Sequence, residues 1–198
     1  MLAFRSADLR GVVAYSSMAQ MGLITLGVFA FDDLGLDGAI LQSVAHGLVS
    51  ASMFLLVGMV ERRCGTGELD ALGGMARGRP TLATVVLVAG MIALAVPGSA
   101  TFAGEFLIMA GVYGQGWGYA VVVALGVVLA AMYILRVISG DPAREAWARP
   151  CVTRRLDLRL GELALVLPLL LVLIGLSVWP ALVSQSAFAA STIAEIVP

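Results

Sequence analysis

Glu105 is the side chain in this sequence best placed to do chemistry. It stands in the run AVPGSATFAGEFLIMAGVYG, residues 95–114, with no other charged residue near it. Apolar residues precede Pro97-Gly98, two small polar residues follow (Ser99 and Thr101), and a second apolar segment carries the carboxylate. In lipid a carboxylate costs several kcal/mol unless it is paired, protonated or hydrated, so an intramembrane acid marks a functional site. The Pro-Gly break beside it points the same way. An interrupted helix frees N–H and C=O groups, which are tolerated at membrane depth only inside protein or beside a water-filled cavity. A broken helix next to a lone acid is a common way to build an ion site.

His46 is the second candidate, and the chain's one histidine. Ser43, His46, Gly47 and Ser50 recur at i, i+3, i+4 and i+7, which is one helical stripe. Two readings are open from spacing alone. Small and polar residues glue membrane helices together, so His46 can be a packing group bonded to a neighbour. Imidazole also titrates near neutral pH, so it can relay protons. On the preceding apolar segment Ser16, Ser17 and Gln20 lie three or four residues apart and share a face that should turn toward protein or water. Ser17, Gln20, Ser50 and Thr101 are therefore candidates for lining a polar path, with Pro97 and Gly98 as the helix break.

The elements that position these residues are membrane helices. The chain has 198 residues, 60% hydrophobic and 13% charged, and a mean hydropathy of +0.99. Several runs of about twenty apolar residues define a polytopic helical membrane protein. The expected spans are 12–31, 38–60, 81–113 with a break at 97–101, 117–139 and 162–183. Residues 1–9 read as the tail of something longer, 32–37 as a short acidic loop, 62–80 and 141–159 as Arg-rich loops, and 184–198 as a surface tail. Trp179 fits an interfacial anchor.

The arginines decide how residues 81–113 are counted. All twelve basic residues are Arg. Two full spans there would put Arg5, Arg10, Arg62, Arg63, Arg77 and Arg79 on one side, and Arg136, Arg144, Arg149, Arg154, Arg155 and Arg159 on the other. One discontinuous span puts all twelve on the same side, as the positive-inside rule prefers. As a straight helix these residues would extend about 50 Å, longer than a core of about 30 Å, so the excess goes into the break, tilt or a protruding end. The fold class is all-α, with about five spans, the third discontinuous. The N-terminus is then cytoplasmic, the C-terminus outside, and Glu105 near mid-depth.

Other chemistries lack their signatures. Cys64 and Cys151 lie in separate loops without a CxxC or Cys/His cluster, so neither a metal site nor a disulfide is expected. Arg5 and Asp8 interrupt the first apolar residues, so Met1 does not open a signal peptide. There is no Walker A loop, GxGxxG turn, zinc motif or nucleophile elbow, and no basic surface for nucleic acid.

Four ordered motifs carry a family resemblance. ADLRGVVAYSSMAQMG (7–22), AHGLVSASMFLLVGMVERR (45–63), LDALGGMA (69–76) and VPGSATFAGEFLIMAG (96–111) resemble, in order and spacing, the antiporter-like subunits of respiratory complex I and its relatives. The resemblance covers nearly the whole chain and is strongest to the M-type subunits of bacterial NADH-quinone oxidoreductase. Sister subunits and Mrp-type sodium/proton antiporters usually carry Lys at the position of Glu105, whereas the M type carries Glu. The resemblance implies a proton-translocating subunit in the bacterial inner membrane, without a redox centre of its own. NADH, FMN, iron-sulfur clusters and quinone would belong to other subunits, and the partners would be the other membrane subunits and the bilayer. It also implies that the polar axis passes through Glu105 and His46, which turns the balance for His46 toward relay or hydration.

The departures are equally specific. The resembling subunits are longer, and this chain matches only their last five spans and the end of one more. Arg10-Gly11 stands where they have Lys-Arg, and Gln20 where they have His. A family glutamate–lysine pair and a central lysine lie upstream of the matched region, so the expectation is a C-terminal part of an antiporter-like membrane domain, residues 1–198. Two alternatives remain beside it. One is a subunit of a monovalent cation/proton antiporter, against which Glu105 argues, and the other a truncated, non-pumping structural remnant.

Overall fold

The computed structural model describes residues 6–69, 80–139, 157–180 and 183. Six helices follow one another: α1 (Leu9–Val28), α2 (Asp33–Cys64), α3 (Pro80–Ala93), α4 (Ala100–Gln115), α5 (Trp117–Ser139) and α6 (Leu160–Val178). α1, α2 and α6 are each long and apolar enough to cross a membrane. Exposed apolar side chains run along the outside, among them Val121, Leu125 and Val128 on α5 and Leu165, Leu171 and Ile174 on α6. In lipid that surface needs no cover.

α2 is the axis. Its 32 residues correspond to about 48 Å of helix. At its last turn Arg63 pairs with Glu162 of α6, and Arg10 of α1 pairs with Glu61 at 2.5 Å. Asp157, just before α6, accepts from the Leu82 N–H at the start of α3. The starts of α1, α3 and α6 therefore meet the end of α2. At the other end Gln115, which closes α4, donates to the Ala30 carbonyl at 2.8 Å. Residues 80–115 thus run antiparallel to α2 along its length, as one discontinuous crossing. α5 returns, packing Val123 near Ile108 and Val112 at that end and Ile134 on Val12 nearer the first. The five-crossing count with a broken third crossing holds.

The helix ends differ from the sequence expectation for reasons of capping. Asp8 accepts from the Gly11 N–H, so α1 begins at Leu9 and not at 12. Asp32 accepts from the Leu34 N–H with Asp33 in the first turn, so α2 begins at 33 and the expected acidic loop becomes its first turn. A carboxylate there meets free N–H groups and the positive end of the helix dipole. α2 closes on Gly65 in the left-handed region, φ 70°, as helix C-termini commonly do.

Cys64 is disulfide-bonded, which corrects the expectation of no disulfide. Cys64 is the last residue of α2, and spacing along the sequence does not encode which thiols are paired. Cys151 lies outside the described residues, as do 1–5, the greater part of the Arg-rich loops with Gly73-Gly74, and the tail after 183.

α2 and α4 approach at backbone distance. A Cβ on Gly38 would lie 2.5 Å from the Ile108 nitrogen and one on Gly111 2.4 Å from the Gly35 nitrogen. Glycine alone permits this approach, and it brings polar side chains of α2 and α4 into the same layer as those of α1.

Candidate functional site

The break between α3 and α4 occupies residues 94–99, not 97–101. Helix α3 stops at Ala93 because Ala95 turns left-handed, φ 53°. The Ala95 N–H returns to the Ile92 carbonyl and the Val96 N–H to Met91, the paired bonds of a Schellman motif. Pro97 explains why the helix cannot continue: it has no N–H, and it drives the residue before it to extended backbone. Pro97 and Gly98 lie in the break, both exposed, with Gly98 at φ 96°. They shape the site without lining it.

The groups freed by the break find local partners. Ser99 caps α4 by accepting from the Phe102 N–H. The Ala100 N–H donates to Ser177 Oγ of α6 at 2.9 Å. Thr101, in the first turn of α4 and not in the break, returns its hydroxyl to the Ile92 carbonyl at 2.5 Å and lies 2.9 Å from Ser99 Oγ. The cap position is thus filled by Ser99, and Glu105, one turn further on, is not the capping group.

Glu105 is buried and accepts from Gln20 Nε2 of α1 at 2.8 Å. Gln20 Oε1 in turn accepts from Gln42 Nε2 of α2 at 3.0 Å. Gln42 Oε1 is buried with no hydrogen-bond partner. Among the described residues no cation pairs with Glu105. Its side-chain hydrogen-bond partner among the described residues is a neutral amide.

His46 sits one turn along α2 from Gln42. Its Nε2 is 2.9 Å from Ser17 Oγ and 3.0 Å from Ser50 Oγ. Two hydroxyls thus converge on one ring nitrogen, and each hydroxyl can both give and take a hydrogen bond. A cavity of about 20 Å³ separates this cluster from the amide chain, with Ser16, Gln20, Gln42, His46, Ser50 and Thr101 among its lining residues. A polar space of that size is sufficient for one water molecule.

The sequence candidates are therefore mostly brought together: Ser17, His46 and Ser50 in one cluster, Gln20 and Glu105 in the other, and Thr101 in the cavity wall. Ser43 and Gly47 are exposed, which corrects the stripe. The inward face of α2 is Gln42, His46, Val49, Ser50 and Met53. Gln42 was missed by the sequence reading, although it lies four residues from His46, the spacing that shares a face. The described residues contain no group of three or more His, Cys, Asp and Glu side chains that could hold a metal.

This arrangement defines a class, a membrane protein with a polar chain buried beside a broken helix, and comparison places the chain within it. The chain belongs to the family described as NADH:quinone oxidoreductase/Mrp antiporter, TM, which it matches over residues 1–132. It is 35% identical over 180 residues to NADH-quinone oxidoreductase subunit M of Rickettsia prowazekii, covering 91% of this chain and 36% of that protein. It is 34% identical to the same subunit of Rhodobacter capsulatus, covering 93% and 36%. The chain thus spans little more than a third of the curated relatives it matches. Among solved structures it is similar to a chain of respiratory complex I from Thermus thermophilus with bound NADH (29% identity, TM-score 0.82), covering 92% of this chain and 38% of that one. The Mrp complex from Dietzia sp. shares the fold (23% identity, TM-score 0.78), covering 93% and 42%.

Proposed function

We propose that this chain serves as part of a proton-translocating membrane subunit of an NADH:quinone oxidoreductase, and that Glu105 and His46 carry the proton path. The observation that carries the reading is the setting of Glu105. It is a buried acid just beyond a helix break, held by an amide and, among the described residues, not by a cation, and that amide, Gln20, lines a small cavity together with the chain's one histidine. A carboxylic acid in such a place changes protonation when a nearby charge or water changes.

Residues 1–198 then form one part of an antiporter-like membrane domain, assembled with other membrane subunits. A cationic partner for Glu105 would come from one of those or from further spans of the same subunit. Redox groups and quinone belong to other subunits in this reading. The end of α2 carrying Arg62 and Arg63, where Arg10 and Arg159 also lie, faces the cytoplasm of a bacterial cell.

Glu105→Gln tests the carrier role. It keeps the size of the side chain and removes ionisation. In membrane vesicles that contain the assembled complex, coupled proton uptake should be lost while the amount of complex stays normal, and Glu105→Asp should keep part of the activity. Full pumping by the Gln variant would overturn the reading.

A further inference from the structure

The amide chain beside Glu105 has a direction. Gln42 Nε2 donates to Gln20 Oε1, and Gln20 Nε2 donates to Glu105 Oε1. Both bonds point their hydrogens toward the carboxylate, which is the order an ionised acid requires, because it can only accept. A protonated acid that donates toward Gln20 needs the opposite order: its hydroxyl gives to Gln20 Oε1, and Gln20 Nε2 gives to Gln42 Oε1. Turning an amide end over exchanges an oxygen for a nitrogen of nearly the same shape. Both orders therefore fit the same space.

Among the described residues nothing at the far end pins either order. Gln42 Oε1 has no hydrogen-bond partner, and it lies over Gly104, where a Cβ would come within 2.6 Å. Only the Glu105 end distinguishes the two orders. Gln42 also lines the cavity shared with His46. Amides do not carry protons under these conditions, so a signal along this chain is one of orientation.

We propose that Gln20 and Gln42 form a two-state amide relay, turned over as a pair when Glu105 gains or loses its proton, which presents that change to the cavity beside His46. The proposal rests on Glu105 changing protonation, as the carrier reading requires. Both glutamines are positioning residues.

The titratable groups on the elements packed around Glu105 leave this path clear. α1 brings Tyr15 and Arg10, the latter paired with Glu61. α2 brings His46, with Asp33 and Asp37 near its start and Glu61, Arg62 and Arg63 at its end. α5 brings Tyr119 among its described side chains, α6 brings Glu162, paired with Arg63, and α3 brings none. None of these is in ion-pair contact with Glu105 among the described residues.

The test uses the full chain in lipid vesicles. Infrared difference spectra across pH follow the Glu105 carboxyl band, identified by its absence in Glu105→Gln. In parallel, nitrogen-15 NMR follows the glutamine side-chain amides and the single histidine. The signals of Gln20 and Gln42 should shift with the same midpoint as the carboxyl band, and the His46 ring should show an inflection there. In Gln42→Met, similar in length and without an amide, Glu105 should still titrate and that His46 inflection should vanish. Amide signals that stay in place through the carboxyl transition would overturn the relay, and so would a His46 inflection that survives in Gln42→Met. If that variant fails to fold, the amide signals of the unsubstituted chain decide. A carboxyl band that never changes sinks the carrier reading and the relay together. In the unsubstituted chain, a carboxyl band that titrates while the Gln20, Gln42 and His46 signals do not follow it sinks only the relay.

Discussion

At the scale of the residue, two polar clusters that the sequence places far apart come to share one small cavity. Glu105 is 85 residues from Gln20 in sequence and 2.8 Å from it in space. Ser17 and His46 meet across 29 residues. The type of each residue was legible, because a polar side chain in an apolar run must have a partner or a purpose. The partnerships were not legible, because they depend on how helices are rotated about their axes. Ser43 fell on the wrong side of α2 for the same reason, and its hydroxyl turns back to the Ala39 carbonyl at 2.7 Å. If His46 relays protons, His46→Ala should slow proton uptake in vesicles severalfold while assembly stays normal. Gln at 46 would keep a hydrogen bond to Ser17 or Ser50 and restore packing, but not the full rate. Unchanged uptake in the Ala variant would leave His46 a packing group.

At the scale of the element, the broken crossing is held by named bonds at each end. Its middle contains a mild misfit: Ala95 occupies left-handed backbone, where a side chain costs about 1–2 kcal/mol that glycine would avoid. Ala95→Gly should therefore raise the resistance of the chain to unfolding in mixed micelles, by roughly 1 kcal/mol after the extra flexibility of glycine is counted. No gain would mean that the local backbone relaxes.

The start of the broken crossing depends on Asp157. Burial opposes its ionised form most strongly of any single influence, but hydrogen bonds from Leu82, Leu158 and Thr81 together outweigh it and hold the carboxyl below its usual range. The folded chain thus binds fewer protons than the unfolded chain as the pH falls through the carboxylate range. Stabilisation by Asp157 is complete above the ordinary carboxylate value and is lost as the pH falls through the lower folded value. Thermal midpoints of the natural chain and Asp157→Asn should differ near neutrality and converge on acidification. A difference that stays constant with pH would show that charge is not what Asp157 supplies to α3.

At the scale of the whole molecule, charge and hydrogen bonding agree on direction. The described arginines outside α5, Arg10, Arg62, Arg63 and Arg159, all lie at the end where α2 finishes, while Asp32 and Asp33 stand at the other. The orientation can be read with single cysteines placed at Arg62 and at Phe31 in a chain whose native cysteines are replaced by serine. A membrane-impermeant reagent added outside intact cells should modify Phe31→Cys and spare Arg62→Cys. The reverse pattern would invert the proposed topology, and labelling of both would mean that one position is not shielded by the membrane.

The sequence by itself determined the solvent, the helical class, the number of crossings and the acid to which the proposed function is assigned. Each of these follows from local composition: apolar length, arginine placement, and a lone acid beside Pro97-Gly98. The point at which α3 stops, the capping of α2 by Asp32, and the disulfide at Cys64 needed structure, since caps and pairings are settled by geometry among several residues. The amide chain through Gln42 was decided by tertiary packing alone. It exists because glycines at 38, 104 and 111 let α2 and α4 approach at backbone distance, and no spacing within a single helix records how close its neighbour will come.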